Sequence, residues 1–392
     1  NNAGDDVMRI GVFTGSRANY SSTKTIIKNI SQDPNIQLIS IVGGAATLSR
    51  YGALDKKMVE EGLPKPDFIF NMFIDGERLS DMAKSCGIGV MEMSSVLNNL
   101  SLDALLVVGD RYDVMAPVIA ASFMNIPIIH TMGGEVTGTI DESIRHAITK
   151  FSHIHFVANN DARERVIKLG ENPKHVHNVG CPRLDLVKQA IENDCLTNLS
   201  FHERYSGVGE RQNIEKDFIL TSFHPVTSEL EDMRRQIDEL LKALNEIKMP
   251  TILLWPNFDA GSSQVAKSIR TFREKKKADW LSVYTNFSVE DYSILMNRTS
   301  CLVGNSSSGI REGAFIGTPV VNIGTRQNSR IHGKNVIQVN CEADEISTAI
   351  KMQLKYGKYD KEYIYGDGSA GDKILNILKS IPMPSPQKKI MY

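Results

Sequence analysis

The feature that most constrains this chain is a rhythm. From Met8 onward, short apolar runs (MRIGVFT, IQLISIV, DFIFNMF, ALLVVGD, IPIIHT, HIHFVAN) alternate with longer stretches whose apolar residues recur at helical spacing. A strand that is apolar along its whole length, not on alternate residues, is buried on both faces. Such strands separated by helices build a parallel sheet between two helical layers. The rhythm breaks at about Lys188 to Asn213, where the chain turns polar, and restarts with FILTSFH, TILLWPN, LSVYTN, CLVGN, PVVNI and NVIQV. A chain of 392 residues is too long for one core, so the fold class expected is α/β with two doubly wound, Rossmann-like domains.

Bulk properties remove several classes of function. The formal net charge is -1, so no whole-molecule field draws the chain to nucleic acid or an anionic membrane, and any anionic ligand must be held locally. The five cysteines (Cys86, Cys181, Cys195, Cys301, Cys341) are odd in number, widely spaced and lack a C-x-x-C pair. That argues against a disulfide framework or a zinc site and for a reducing, cytoplasmic setting. The amino end, NNAGDDVMRI, lacks the apolar centre of a signal peptide. No uncharged apolar stretch approaches the roughly 18 residues that span a bilayer.

In open α/β sheets ligands bind at the carboxyl ends of the strands, so the strand-end loops carry the information about function, and with two domains the natural site is the cleft between them. The first strand ends in TGSRANYSS, placing Arg17 at the start of a helix, either as a phosphate ligand or as a surface residue beside a cap. No G-x-G-x-x-G follows it, which speaks against a dinucleotide cofactor. The fourth strand ends in Gly109, Asp110 and Arg111; Asp113 is expected to cap the next helix. The fifth runs into Gly133, Gly134 and Glu135, and Asp141 and Glu142 open another helix. Acids in a first helical turn have an ordinary explanation in the helix dipole. Acids ending two strands and opening a helix would, if brought together, repel one another and separate their proton affinities, as acid/base catalysis requires.

In the second half, His224 follows a strand in SFHPVTSE, and Asn257 and Asp259 follow another in WPNFDAGSS. The segment GNSSSGIREGAFIGTPVVNIGTRQNSR ends a buried strand at Gly304, places Ser306, Ser307 and Ser308 at a helix start, and adds Glu312 and Arg326. Hydroxyls and free backbone N–H groups there either cap the helix or cradle a diphosphate, while Glu312 is placed to accept from ribose hydroxyls. Lys267, Arg270, Arg273 and Lys275 to Lys277 form a basic patch, either a solvated helix face or a site for an anionic regulator.

Taken together, GSRANY, GDRYD, GGEVTGTIDESIRHAITK, HPVT, PNFDAGS, GNSSSGIRE with GTRQ, and YGDG resemble the hydrolysing UDP-N-acetylglucosamine 2-epimerases, from about Met8 to about Lys388. The resemblance implies a GT-B architecture: domains at 7–195 and 196–371 facing across a cleft, with a C-terminal helix, 372–392, rejoining the first, though its residues read as helix only to Ser380, before the Pro-rich tail IPMPSPQKK. It implies that Arg17, Ser21, His224, Asn257, Ser306, Ser307, Glu312 and Arg326 contact UDP, and that Asp110, Glu135 and Asp141 are the catalytic carboxylates. Arg111 is expected near the sugar or the diphosphate. The implied reaction converts UDP-N-acetylglucosamine and water to UDP and N-acetylmannosamine by anti elimination to a glycal and hydration, for sialic-acid-type biosynthesis. It uses no cofactor or metal, and a homodimer or homotetramer is usual. Which acid is the base stays open, with Asp110 and Glu135 the preferred pair. The alternatives are the same chemistry on UDP-2,4-diacetamido-2,4,6-trideoxyglucose, of the legionaminic acid pathway, a glycosyltransferase on the same fold, and a sensor that binds UDP without chemistry.

Overall fold

Both expected sheets form, and every strand pairing in them is parallel. A computed structural model describes residues 7–47, 54–74, 79–137, 140–255 and 262–391. The first sheet contains β1 (Met8–Thr14), β2 (Ile36–Val42), β3 (Phe68–Ile69), β4 (Ala104–Val108), β5 (Ile128–Thr131), β6 (Ile154–Val157) and β7 (Val176–Asn178), in the order β3-β2-β1-β4-β5-β6-β7. The second contains β8 (Ile219–Ser222), β9 (Thr251–Leu254), β10 (Leu281–Tyr284), β11 (Cys301–Gly304), β12 (Val320–Ile323) and β13 (Val336–Val339), in the order β10-β9-β8-β11-β12-β13. The edge strand β7 was not expected: three residues, VHN, carry too little apolar signal to stand out.

By internal contacts the chain divides into Asn1–Asp185 with Gly366–Tyr392, and Leu186–Tyr365. The first break falls inside the helix Arg183–Glu192, just before the polar stretch, because the start of that helix packs with the first sheet. In each unit the sheet is the core. All five residues of β4 and all four of β8 are buried, and a fully buried Val, Leu or Ile contributes about 1.5–3 kcal/mol. Strand order also locates the loops that matter. Each sheet reverses direction once, between β1 and β4 in the first and between β8 and β11 in the second. At such a switch point the crossover helices leave on opposite faces and open a crevice at the strands' carboxyl ends. The loops after these four strands are the segments with Arg17, with Asp110 and Arg111, with His224, and with Ser306 and Ser307.

The last helix ends at Ser380, before the Pro-rich tail IPMPSPQKK, as the sequence reads. It runs Ala370–Ser380, not to 392, because Pro382, Pro384 and Pro386 lack the N–H that continues a helix. The tail beyond it is pinned to the first unit. His153 Nδ1 accepts from the Ile128 N–H at 3.0 Å, which leaves Nε2 to donate to Pro386 O at 2.8 Å; Met391 N donates to Gly170 O at 2.9 Å. Lys388 reaches Glu171, a carboxylate 4 % exposed that also takes Lys150 (2.7 Å) and His155 (2.9 Å). Burial alone would raise Glu171, but the hydrogen bonds from His155, Lys150 and Lys388 outweigh it and hold the carboxyl at about 2, against an ordinary 4.5. Burial pushes His155 down, so it faces Glu171 as a neutral donor and the lysines carry the charge. A depressed carboxylate stabilises the folded state above its unfolded pKa and loses that contribution as pH falls from 4.5 toward 2. Lys388→Met is therefore expected to lower the melting temperature by several degrees at pH 7 and by less at pH 3. Equal losses at both pH values, measured by thermal unfolding, would show that another contact holds the tail.

Candidate active site

In the first unit the site grows from one buried arginine. Helix Ile140–Phe151 turns Ile144 and Ile148 toward the sheet, and Arg145 lies between them on that inward side, 2 % exposed. Its Nε donates to Asp110 Oδ2 at 3.0 Å, and Nη2 bonds the same oxygen. Nη1 donates to Glu135 O at 2.7 Å and Nη2 to Thr137 Oγ1 at 3.3 Å. One planar fork thus fastens the ends of β4 and β5 together, a geometry an ammonium cannot reproduce. Asp141, in the first turn of the same helix, has its carboxyl raised by burial and by the charge of Asp110, against the lowering effect of Arg111 and Arg145. Arg111, largely exposed, is desolvated in part, yet the carboxylates of Asp113, Asp141 and Asp110 hold its pKa above the ordinary value. The structure therefore brings Asp110, Asp141, Arg111 and Arg145 into one electrostatic group. Glu135 is tied to it by its backbone carbonyl.

Beneath this group lies His130, fully buried, which burial pushes down to about 3. Its Nε2 is 2.8 Å from Gly109 O, an acceptor only, so Nε2 carries the proton, and Nδ1 accepts from Thr149 Oγ1 at 3.1 Å. A neutral histidine thereby fixes the peptide that precedes Asp110. The β1 loop is fixed to the same place: Asn19 accepts from Gly15 N at 3.1 Å and donates to Val108 O at 2.6 Å. Arg17 is exposed at the start of helix Arg17–Gln32, which Ser16 caps. Ser21 is buried, donates to Ala18 O at 2.7 Å and accepts from Arg183 at 3.2 Å.

In the second unit Asn305 is the organiser. Its side chain accepts from His224 N at 2.7 Å and donates to His224 O at 2.8 Å, clasping the peptide that follows β8. Its own carbonyl takes Arg326 Nη1 at 3.1 Å and Gln327 Nε2 at 3.0 Å from the loop after β12. Gly304 makes this approach feasible: at φ +148, a Cβ there would sit 2.0 Å from Ser222 O. Ser306 caps the short turn Ser307–Gly309 and pairs with Ser308 Oγ at 2.9 Å; Tyr292 OH is 3.0 Å from that same Ser308 oxygen. Ser306 and Ser307 are half-buried, and Glu312 is buried in the first turn of helix Arg311–Ile316. Burial, then the charge of Arg326, push His224 down to about 4, so at neutral pH it offers a neutral ring with Nε2 3.2 Å from Ser222 Oγ. Asn257 and Asp259 lie outside the described residues. Each unit thus presents polar groups at its switch point: acids and guanidiniums in the first, neutral donors with Arg326 in the second.

Comparison with known proteins gives this pattern a family. The family model described as UDP-N-acetylglucosamine 2-epimerase matches residues 28–379. The chain belongs to the UDP-N-acetylglucosamine 2-epimerase family. It is 31 % identical to the UDP-N,N'-diacetylbacillosamine 2-epimerase (hydrolyzing) of Legionella pneumophila, over 97 % of each chain. It is 30 % identical to the UDP-N-acetylglucosamine 2-epimerase of Neisseria meningitidis serogroup B, over 92 % of this chain and 91 % of that one. A crystal structure of UDP-GlcNAc 2-epimerase from Neisseria meningitidis bound to UDP-GlcNAc superposes with a TM-score of 0.79 at 16 % identity, covering 95 % of this chain and all of that one. The epimerase family fold, two parallel sheets with flanking helices of the GT-B type, is the fold of this chain.

Several parts of this family member's candidate site do not stand out in the sequence. Arg145 and Asn305 fall inside the motifs that carry the resemblance and His130 just before one, but nothing in their spacing distinguishes a buried fork from a solvated charge. Arg145 did carry one signal: a charge between Ile144 and Ile148 on the apolar side of its helix, one turn after Asp141. The basic patch lies along helix Ser262–Lys276, with Arg270 over the Trp255 ring at 5.7 Å. Glu231 and Asp238 share its groove with Lys267, Lys275 and Lys276, so acids interrupt the bases. Among the described residues no helix is long and apolar enough to cross a membrane.

Proposed function

We propose that this chain is a hydrolysing 2-epimerase of a UDP-linked 2-acetamido sugar, converting UDP-N-acetylglucosamine and water to UDP and N-acetylmannosamine. The observation that carries the proposal is the coupled pair Asp110 and Asp141 at the switch point of the first sheet, one hydrogen-bonded to the buried Arg145, the other raised by burial and by its partner. A carboxylate held by a buried guanidinium beside a carboxyl whose proton affinity is raised suits a reaction that must take one proton and give another. The C2 hydrogen of the sugar is not adjacent to a carbonyl and is barely acidic. It is lost only as the C1–O bond to UDP breaks and positive charge builds at C1.

In this reading a carboxylate removes the C2 proton while UDP departs with the C1–O electrons, leaving a glycal. Water then adds its hydroxyl at C1, and a proton returns to C2 from the opposite face. Asp110, Glu135 and Asp141 divide these proton transfers. Arg17, Ser21 and Arg111 from the first unit, and His224, Asn257, Ser306, Ser307, Glu312 and Arg326 from the second, hold UDP and stabilise the leaving diphosphate. The proposed active form is a homodimer or homotetramer.

A second substrate is favoured by one observation. The relative from Legionella pneumophila, named for UDP-N,N'-diacetylbacillosamine, matches this chain as well as the N-acetylglucosamine enzyme does. That sugar is the 2,4-diacetamido-2,4,6-trideoxy analogue, and the chemistry at C1 and C2 is the same. The test is an NMR assay in deuterated water with each sugar nucleotide. Free N-acetylmannosamine carrying deuterium at C2, with UDP released, is expected. Hydrogen retained at C2 excludes elimination, UDP release that requires an acceptor identifies a glycosyltransferase, and faster turnover of the diacetamido sugar reassigns the substrate.

A further inference from the structure

Among the buried acids of the first unit that the reaction above leaves unused, one follows β4 at the switch point. Asp113 stands in the first turn of helix Tyr112–Phe123 and is 2 % exposed. An acid there is expected to cap the helix, but the N-cap is Arg111, without a side-chain capping hydrogen bond, and Asp113 stands inside the first turn. A favourable interaction with the helix dipole needs no burial, because an exposed carboxylate in the first turn has it too. Burying a carboxyl is unfavourable, and burial raises this one to about 6. Its depth must therefore answer to what surrounds it.

Two glycine turns cover it. A Cβ on Gly15, after β1, would lie 3.1 Å from Asp113 Oδ2; one on Gly44, after β2, would lie 3.1 Å from Asp113 Cβ, and Gly44 has φ +59. Toward the strand ends, Oδ1 makes no hydrogen bond and faces Arg111 Nε at 3.9 Å. The charged and titratable groups that act on Asp113 are Arg111, Asp110, Tyr112 and, from helix Leu79–Asn98, Cys86. Arg111 is the positive one among them. Its side chain is 53 % exposed, with the Tyr112 ring 5.9 Å away and Asp110 and Asp141 acting on its charge. An arginine this exposed samples many rotamers unless something holds it.

We propose that Asp113 is a positioning residue that, from beneath the β1 and β2 turns, holds the Arg111 guanidinium beside Asp110 and Asp141, where it meets the departing diphosphate. The assignment rests on the hydrolysing-epimerase reading. Arg111 sits among three carboxylates, and the buried one does not move; the anchor is the group with no freedom of its own. A guanidinium displaced by about 1 Å from its productive place costs roughly a hundredfold in rate.

The test uses Asp113→Asn, which keeps the shape and removes the charge, in the parent chain and in Arg111→Gln. In the parent, kcat should fall by roughly a hundredfold while KM rises by less than about tenfold, since the displaced guanidinium acts more strongly on the departing diphosphate than on the bound substrate. In the Arg111→Gln background the same change should cost nothing further. Equal losses in both backgrounds would overturn the proposal. So would a crystal structure of Asp113→Asn with Arg111 still beside Asp110 and Asp141, whatever the enzyme turns over. A parent chain that releases no sugar rejects the functional reading, and that structure then decides the positioning role separately. If Asp113→Asn does not fold, Asp113→Ser replaces it in the same cycle.

Discussion

Asp110→Asn is expected to bind UDP about as tightly as the parent chain and to lose at least about a hundredfold in turnover, the scale of a lost acid or base. On the proposed reading the two readouts separate because most of the groups assigned to UDP, His224, Ser306, Ser307, Glu312 and Arg326, belong to the second unit and Asp110 to the first. The amide also presents an N–H2 group where a carboxylate oxygen now accepts from Arg145, so some loss of stability accompanies the loss of rate. Calorimetric titration with UDP and steady-state turnover, both well below the melting temperature, provide the check. Weakened UDP binding with undiminished turnover would make Asp110 a binding group and remove it from the chemistry.

Arg145→Met should have the largest effect on stability of any single change in the first unit's site. Its guanidinium is 2 % exposed and serves Asp110, the Glu135 carbonyl and Thr137 at once. Methionine fills a similar volume and leaves all three without their donor. Breaking a buried pair costs about 3–5 kcal/mol. Asp110 is 28 % exposed and can recruit water, so the lower end, about 3 kcal/mol, is expected. Arg145→Lys restores the charge without the fork, and should recover part of the stability while turnover stays low. Chemical denaturation of both variants beside the parent decides it. A methionine variant as stable as the parent would show that the fork is dispensable to the fold.

Most of the architecture was legible in the residues because burial on both faces leaves a period-free apolar run, and that signal is strong for β1, β4, β8 and β11. It failed where the element was short, as in β7, while backbone chemistry was legible where prolines follow the last helix. Three prolines end the last helix at Ser380. The regular helix after His224 begins at Met233, behind a tight turn over Thr227–Asp232.

The strand-end loops were legible too, since glycines, acids and serines at the close of an apolar run have few other uses. Side-chain direction was not. Glu135 and Asp141 look alike in sequence, yet the structure couples Asp141 to Asp110 and ties Glu135 in by its backbone. Asp113 looks like a helix cap in sequence, yet the cap is Arg111, and the depth of Asp113 beneath Gly15 and Gly44 depends on two other strands.

The order of apolar runs thus determined by itself the α/β class, the two sheets and which loops end their strands, because burial is a property each segment carries locally. Tertiary structure alone decided that β1 lies beside β4 and β8 beside β11, that Arg145 binds Asp110, and that Asn305 clasps His224. Those pairings join residues distant in the chain, and their energies exist only once the strands between them have been placed.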